Sequence, residues 1–157
     1  MAIYWTMGVD CGSDAALAAK IAQHFDGFTV ALAGVLPTNC ISHVETHRDI
    51  HFVCVHPRGM GNATHPEAER RPDLANDACE SAVRDILYPE LLKLLGFRCA
   101  LFGAECFDSM AFATPDEDSD IDYGFMISSV VDFPESPTDR ICEPFADGYR
   151  IVTAMNG

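Results

Sequence analysis

Positive charge is scarce in this chain. Its 157 residues carry ten Lys and Arg against twenty-four Asp and Glu, a formal net charge of -14. A field of that sign repels nucleic acid and anionic lipid, and it attracts basic proteins and cations. Long apolar runs are also missing. The greasiest, GFTVALAGVL, is too short to span a bilayer, and MAIYWTMGVDC has no basic flank, so neither membrane insertion nor export is expected. There is no CxxC, and seven cysteines cannot all pair within one chain. They sit in apolar contexts such as FVCV, RCALF and ECF, which points to reduced, mostly buried thiols and a cytoplasmic protein. No GxxxxGK[ST], GxSxG or HExxH occurs, so phosphate-loop, serine-hydrolase and zincin chemistry lack their essential residues. The one tryptophan, Trp5, lies in an apolar strand and reads as a core residue.

What is present fits one domain, 1–157, with enough apolar residues for a substantial core. Ile3 to Val9 reads as a strand. Ser13 then caps a helix on which Leu17, Ile21 and Phe25 recur at every fourth position. Asp26-Gly27 stops that helix, and GFTVALAGVL reads as a buried strand. Ile41 to Glu45 and Ile50 to His56 flank the polar THRD as a hairpin. Pro57, Gly59 and Gly61 open a long exposed loop, 57–72. Asp73 is the expected cap of a second helix in which Leu74, Ala78, Ala82 and Ile86 form one stripe with Cys79, Val83 and Leu87 beside it, and Pro89 should kink the helix or start a new one. Strands return at Arg98 to Phe107, Tyr123 to Val131 and Tyr149 to Thr153. The order βαβββαβββ implies an α+β domain in which two main helices pack on a mixed, mainly antiparallel sheet.

The densest chemistry lies in residues 115 to 127, PDEDSDIDYGFMI. It is not an EF-hand. Counted from Asp116, the sixth and twelfth residues are Ile121 and Ile127, where glycine and glutamate are needed; counted from Asp118, they are Tyr123 and Ser129. In an extended 42–51 segment, His43, Glu45, His47, Asp49 and His51 would share a face and suit zinc, but a turn at THRD separates them. Solvent-facing hairpin positions are the expectation, with no bound metal or cofactor. Cys11, in GVDCGS before a helix N-terminus, occupies a position that lowers a thiol pKa, yet no histidine pairs with it in sequence, so a structural thiol is expected.

With its flanks, the acidic run resembles a known core. The stretch LYPELLKLLGFRCALFGAECFDSMAFATPDEDSDIDYGFMI is similar to the nucleotidyltransferase fold, in which a Gly-Ser turn precedes a strand carrying two magnesium-binding carboxylates. That resemblance makes Gly103 the turn glycine and Asp120 and Asp122 the metal ligands of a magnesium-dependent enzyme. Ala104 stands where the family has serine, and the spacer to Ser119 is longer than the compact families have. As a whole, a small, reduced, strongly acidic α+β chain is similar to bacterial toxin-immunity proteins, including those of contact-dependent growth inhibition. This second resemblance rests on size, charge and layout. It implies no enzymatic activity but a stoichiometric inhibitor of a cognate basic toxin domain, a nuclease in the first instance, with no direct contact to nucleic acid or membrane. Asp116, Glu117, Asp118, Asp120 and Asp122 are then the central patch, Glu105 and Asp108 its neighbours, and Tyr123 or Phe125 an aromatic anchor.

Overall fold

The computed structural model describes residues 5–61, 71–74, 77–104, 126–134 and 140–154. Strand β1 (Trp5–Asp10) leads into helix α1 (Ala15–Phe25), followed by β2 (Thr29–Val30), β3 (Thr38–His47) and β4 (Ile50–Pro57). A short 3-10 turn, Pro72–Leu74, precedes α2 (Asp77–Leu91). Strands β5 (Cys99–Ala104), β6 (Met126–Ser129), β7 (Arg140–Ala146) and β8 (Tyr149–Ala154) complete the order. Among the described residues eight strands form one sheet, β2-β3-β4-β1-β5-β6-β8-β7, with every neighbouring pair antiparallel. The fold is thus the expected α+β arrangement.

Alternation along the strands divides the sheet into two faces. Met7 and Val9 of β1, Val53 and Val55 of β4, and Ala100 and Phe102 of β5 belong to one core cluster with Ala18, Ile21 and Phe25 of α1 and Val83, Leu87 and Leu91 of α2. The opposite face carries a smaller cluster of Phe52, Cys99, Leu101, Met126, Phe133 and Val152. Each fully buried Leu, Ile or Phe contributes about 1.5–3 kcal/mol relative to exposure.

Several local expectations give way to the geometry. The cap of α1 is Asp14, not Ser13: the chain turns through Gly12 at a φ of 58°, and the Asp14 carboxylate accepts the Leu17 N–H at 2.9 Å. GFTVALAGVL is not a long buried strand. Val30 already pairs with Thr38, so only Thr29 and Val30 are in the sheet, while Gly34, at a φ of 75°, and the exposed Leu36 lie in the connection. The hairpin strands are longer than expected, because the turn is only Arg48-Asp49, both at positive φ as a type I′ turn requires. Thr46 and His47, part of the expected THRD turn, belong to β3.

The entry to the loop at 57–72 is packed, not exposed: Pro57, Gly59, Met60 and Gly61 are buried, and Met60 C=O accepts the Trp5 N–H at 3.2 Å. Residues 62–70 lie outside the described residues. In α2 the buried stripe is Val83, Leu87 and Leu91, with Tyr88 beside it; Ala78 and Ile86 face outward or lie half-buried. Pro89 does not end the helix, which continues to Leu91. The carbonyl it leaves without a helical donor belongs to exposed Asp85. Strand β7 was not anticipated. Its RICEPFA has Pro144 and a register shift between Pro144 and Ala146, features an edge strand tolerates. No helix among the described residues is long and apolar enough to cross a membrane.

Candidate functional site

The anticipated acidic residues Glu105, Asp108, Asp116, Glu117, Asp118, Asp120 and Asp122, together with Tyr123 and Phe125, lie outside the described residues. Their two anchor points are described. β5 ends at Ala104, opposite Trp5, and β6 begins at Met126, opposite Leu101, so the run connects adjacent antiparallel strands. Gly103 is not a turn residue; it is a buried strand position in register with Thr6.

The histidine set is divided by register. His43, Glu45 and His47 alternate along one face of β3, and His43 Nε2 meets Glu45 Oε1 at 3.0 Å. His51 pairs with Thr46 and therefore faces the other way, its Nδ1 lying 2.9 Å from Thr46 Oγ1. Asp49 is in the turn. Among the described residues no three His, Cys, Asp or Glu side chains converge as metal ligands.

Cys11 is a core thiol. Burial pushes it up to about 12, and the negative charges of Asp10 and Asp14 add to the rise, overriding any effect of the helix start. Burial likewise pushes Cys40 up to about 12 and raises Cys99 further. Because the thiolate is the nucleophile, these groups are unreactive at neutral pH. Iodoacetamide at pH 8 should therefore modify half-buried Cys79 and Cys142 first and reach Cys11, Cys40 and Cys99 only in denaturant. Peptide mass mapping checks this; labelling of Cys11 as fast as Cys79 would contradict it.

The polar cluster that the structure does assemble was not foreseen. At the end of β1, Asp10 Oδ1 accepts the Gly12 N–H at 2.7 Å, and Oδ2 lies 3.4 Å from Arg98 Nη1. Arg98 Nε is 3.9 Å from Asp132 Oδ1, and its guanidinium lies 5.3 Å from the Phe133 ring centroid. Burial raises Asp10 above 3.8 more than the Gly12 N–H and Arg98 lower it, and Asp132 adds to the rise. Gly12 takes a positive φ that strains other residues, and a Cβ there would lie 3.0 Å from Arg98 Cδ and press on that side chain. Both Asp10 oxygens are engaged within the protein. The cluster acts as a clamp joining the β1–α1, α2–β5 and β6–β7 connections, with Arg98 N–H donating to Asp10 C=O at 2.7 Å and Ser129 N–H to Arg98 C=O at 2.8 Å. No motif spacing marks these residues, since they meet only when the strands pair.

That clamped end of the sheet also carries exposed apolar side chains. Leu95 is 57%, Val130 40% and Val131 83% exposed. Val130 N–H donates to Gly148 C=O, and Gly96 N–H to Tyr149 Oη, which brings these segments to one end. Exposed Asp14, Asp49, Asp132 and Asp147 lie in the connections at the same end. None of the family models, curated proteins or solved structures compared with this chain matches it.

Proposed function

We propose that this chain is an immunity protein: a stoichiometric acidic inhibitor that binds and neutralises a cognate basic toxin domain of nuclease type. The observation that carries the reading is the uneven charge. From Ala104 onward there are twelve acids against only Arg140 and Arg150. Arg150 is buried, with Nη2 donating to Phe133 C=O at 2.7 Å and Nε to Ser128 Oγ at 3.3 Å, so its charge is spent inside the fold. The C-terminal third therefore presents a strongly negative field.

Enzymes that cleave nucleic acid hold phosphates in a basic groove. Clustered carboxylates complement such a groove, speed encounter and exclude the substrate. Nuclease and immunity partners are among the tightest protein complexes known. On this reading Asp116, Glu117, Asp118, Asp120 and Asp122 supply the central charge, with Glu105, Asp108 and Tyr123 beside them.

Neutralising Asp120 and Asp122 together by Asp→Asn should weaken binding to the purified toxin domain about tenfold or more at low salt and make the remaining affinity less sensitive to salt. Titration calorimetry at two ionic strengths measures both. Unchanged affinity and an unchanged salt slope would remove these two carboxylates from the interface.

A further inference from the structure

The most exposed large apolar side chain of the described chain is not on a loose loop. Val131, at 83% exposure, follows Val130, whose N–H donates to Gly148 C=O at 3.0 Å. The N–H groups of Val131 and Asp132 point to Ser129 Oγ at 3.3 and 3.4 Å, and Phe133 N–H donates to Ser129 C=O at 3.0 Å. Arg150 holds the Phe133 carbonyl, while the Phe133 ring is buried beside Arg98. Four successive backbone donors thus point inward, and the valine pair is held out toward solvent. A side chain fixed in this way loses little conformational entropy when a partner covers it.

Leu95 is brought to the same end. Gly96 N–H donates to Tyr149 Oη, Tyr149 Oη donates to Phe97 C=O at 2.8 Å, and Tyr149 pairs with Ser129. Around these apolar positions the exposed charge is mainly negative. Asp14 starts α1, Asp49 lies in the β3–β4 turn, Asp132 follows Val131, and Asp147 lies in the β7–β8 turn. Arg98 is held between Asp10 and Asp132, exposed Lys93, two residues before Leu95, is paired with Glu90, and Arg48 in the β3–β4 turn is the further exposed cation. From β4 to β7 the sheet spans five strand intervals, roughly 24 Å. One interface of standard size covers that distance.

We propose that this end of the sheet docks a basic protein, with Val130, Val131 and Leu95 entering an apolar recess while the surrounding carboxylates face the partner's cations. The inference rests on the inhibitor reading above and assigns it an apolar anchor. A second copy of this chain is a poor occupant, since two acidic surfaces repel.

The test uses two synthetic peptides as probes, one of lysine and leucine and one with every leucine replaced by serine. Calorimetry compares the wild type, the Leu95→Ser/Val131→Asn double variant and Leu36→Ser. Leu36 is a matched control, 77% exposed and just before β3 starts, at the end opposite the β3–β4 turn. All of the substituted positions are exposed, and circular dichroism verifies that the variants fold. The wild type should prefer the leucine peptide by about tenfold. The double variant should lose most of that preference, and Leu36→Ser should retain it. A preference that is absent from the wild type, survives the double change or disappears in Leu36→Ser overturns the proposal. Failure of the inhibitor reading is seen separately, as the absence of any basic partner from a host pull-down.

Discussion

Replacing Phe97 with alanine should lower the free energy of unfolding by about 3–5 kcal/mol, the range for deleting a fully buried aromatic side chain. Phe97 has no exposed surface, and its ring lies 4.6 Å from that of Tyr149, centroid to centroid. It sits between α2 and β5, the point at which the helix layer meets the centre of the sheet. Its carbonyl also accepts the Tyr149 hydroxyl, so any backbone shift that closes the cavity disturbs a second contact. At roughly 2–4 °C per kcal/mol for a chain of this size, the thermal midpoint should fall by about 6–20 °C. Urea unfolding read by circular dichroism measures the loss; a change under about 1 kcal/mol would mean that the site collapses around the smaller side chain.

Arg150→Met should cost about 2–3 kcal/mol. Methionine keeps much of the side-chain length but removes the charged donor from the Phe133 carbonyl and the contact with Ser128 Oγ. Hydrogen bonds to charged groups contribute about 1.5–3 kcal/mol, and a buried carbonyl left without its donor bears a desolvation cost. The effect should be local as well as global. Amides of Val131 to Phe133 should exchange faster with solvent than in the wild type, because Arg150 fixes the segment that Ser129 folds back. Hydrogen exchange resolved by mass spectrometry checks this. Wild-type protection of that segment in a folded variant would show that Ser129 holds the turn without help.

Helix α1 was legible in the sequence because Leu17, Ile21 and Phe25 repeat with the helical period and Asp26-Gly27 marks the end. The hairpin was legible from two β-rich runs around a polar break, though not its extent, since Arg48-Asp49 turns without glycine. GFTVALAGVL misled because hydrophobicity alone does not set how far a strand pairs; β3 turns back at Thr38 and closes the pair after two residues. Strand β7 was hidden by Pro144 and by exposed residues such as Ile141, the marks of an edge strand.

The candidate site divides in the same way. The acidic character of 105–125 is a property of composition and was legible directly. The Asp10–Arg98–Asp132 clamp and the valine pair held by Ser129 depend on strand register, which joins residues far apart in the chain. Nothing in the local patterns around Asp10 or Arg98 announces that contact. Cys11, read as a structural thiol, is buried in the core, and burial with two adjacent acids raises its pKa despite the helix start.

The proposed inhibitor role requires a basic protein partner for this acidic chain. A tagged pull-down from the native host at low and high salt, with mass spectrometry of the co-eluting proteins, tests it most directly. The inhibitor account predicts a single basic toxin domain in equal stoichiometry, retained less well as salt rises. A column that recovers no basic protein at either salt concentration would contradict it.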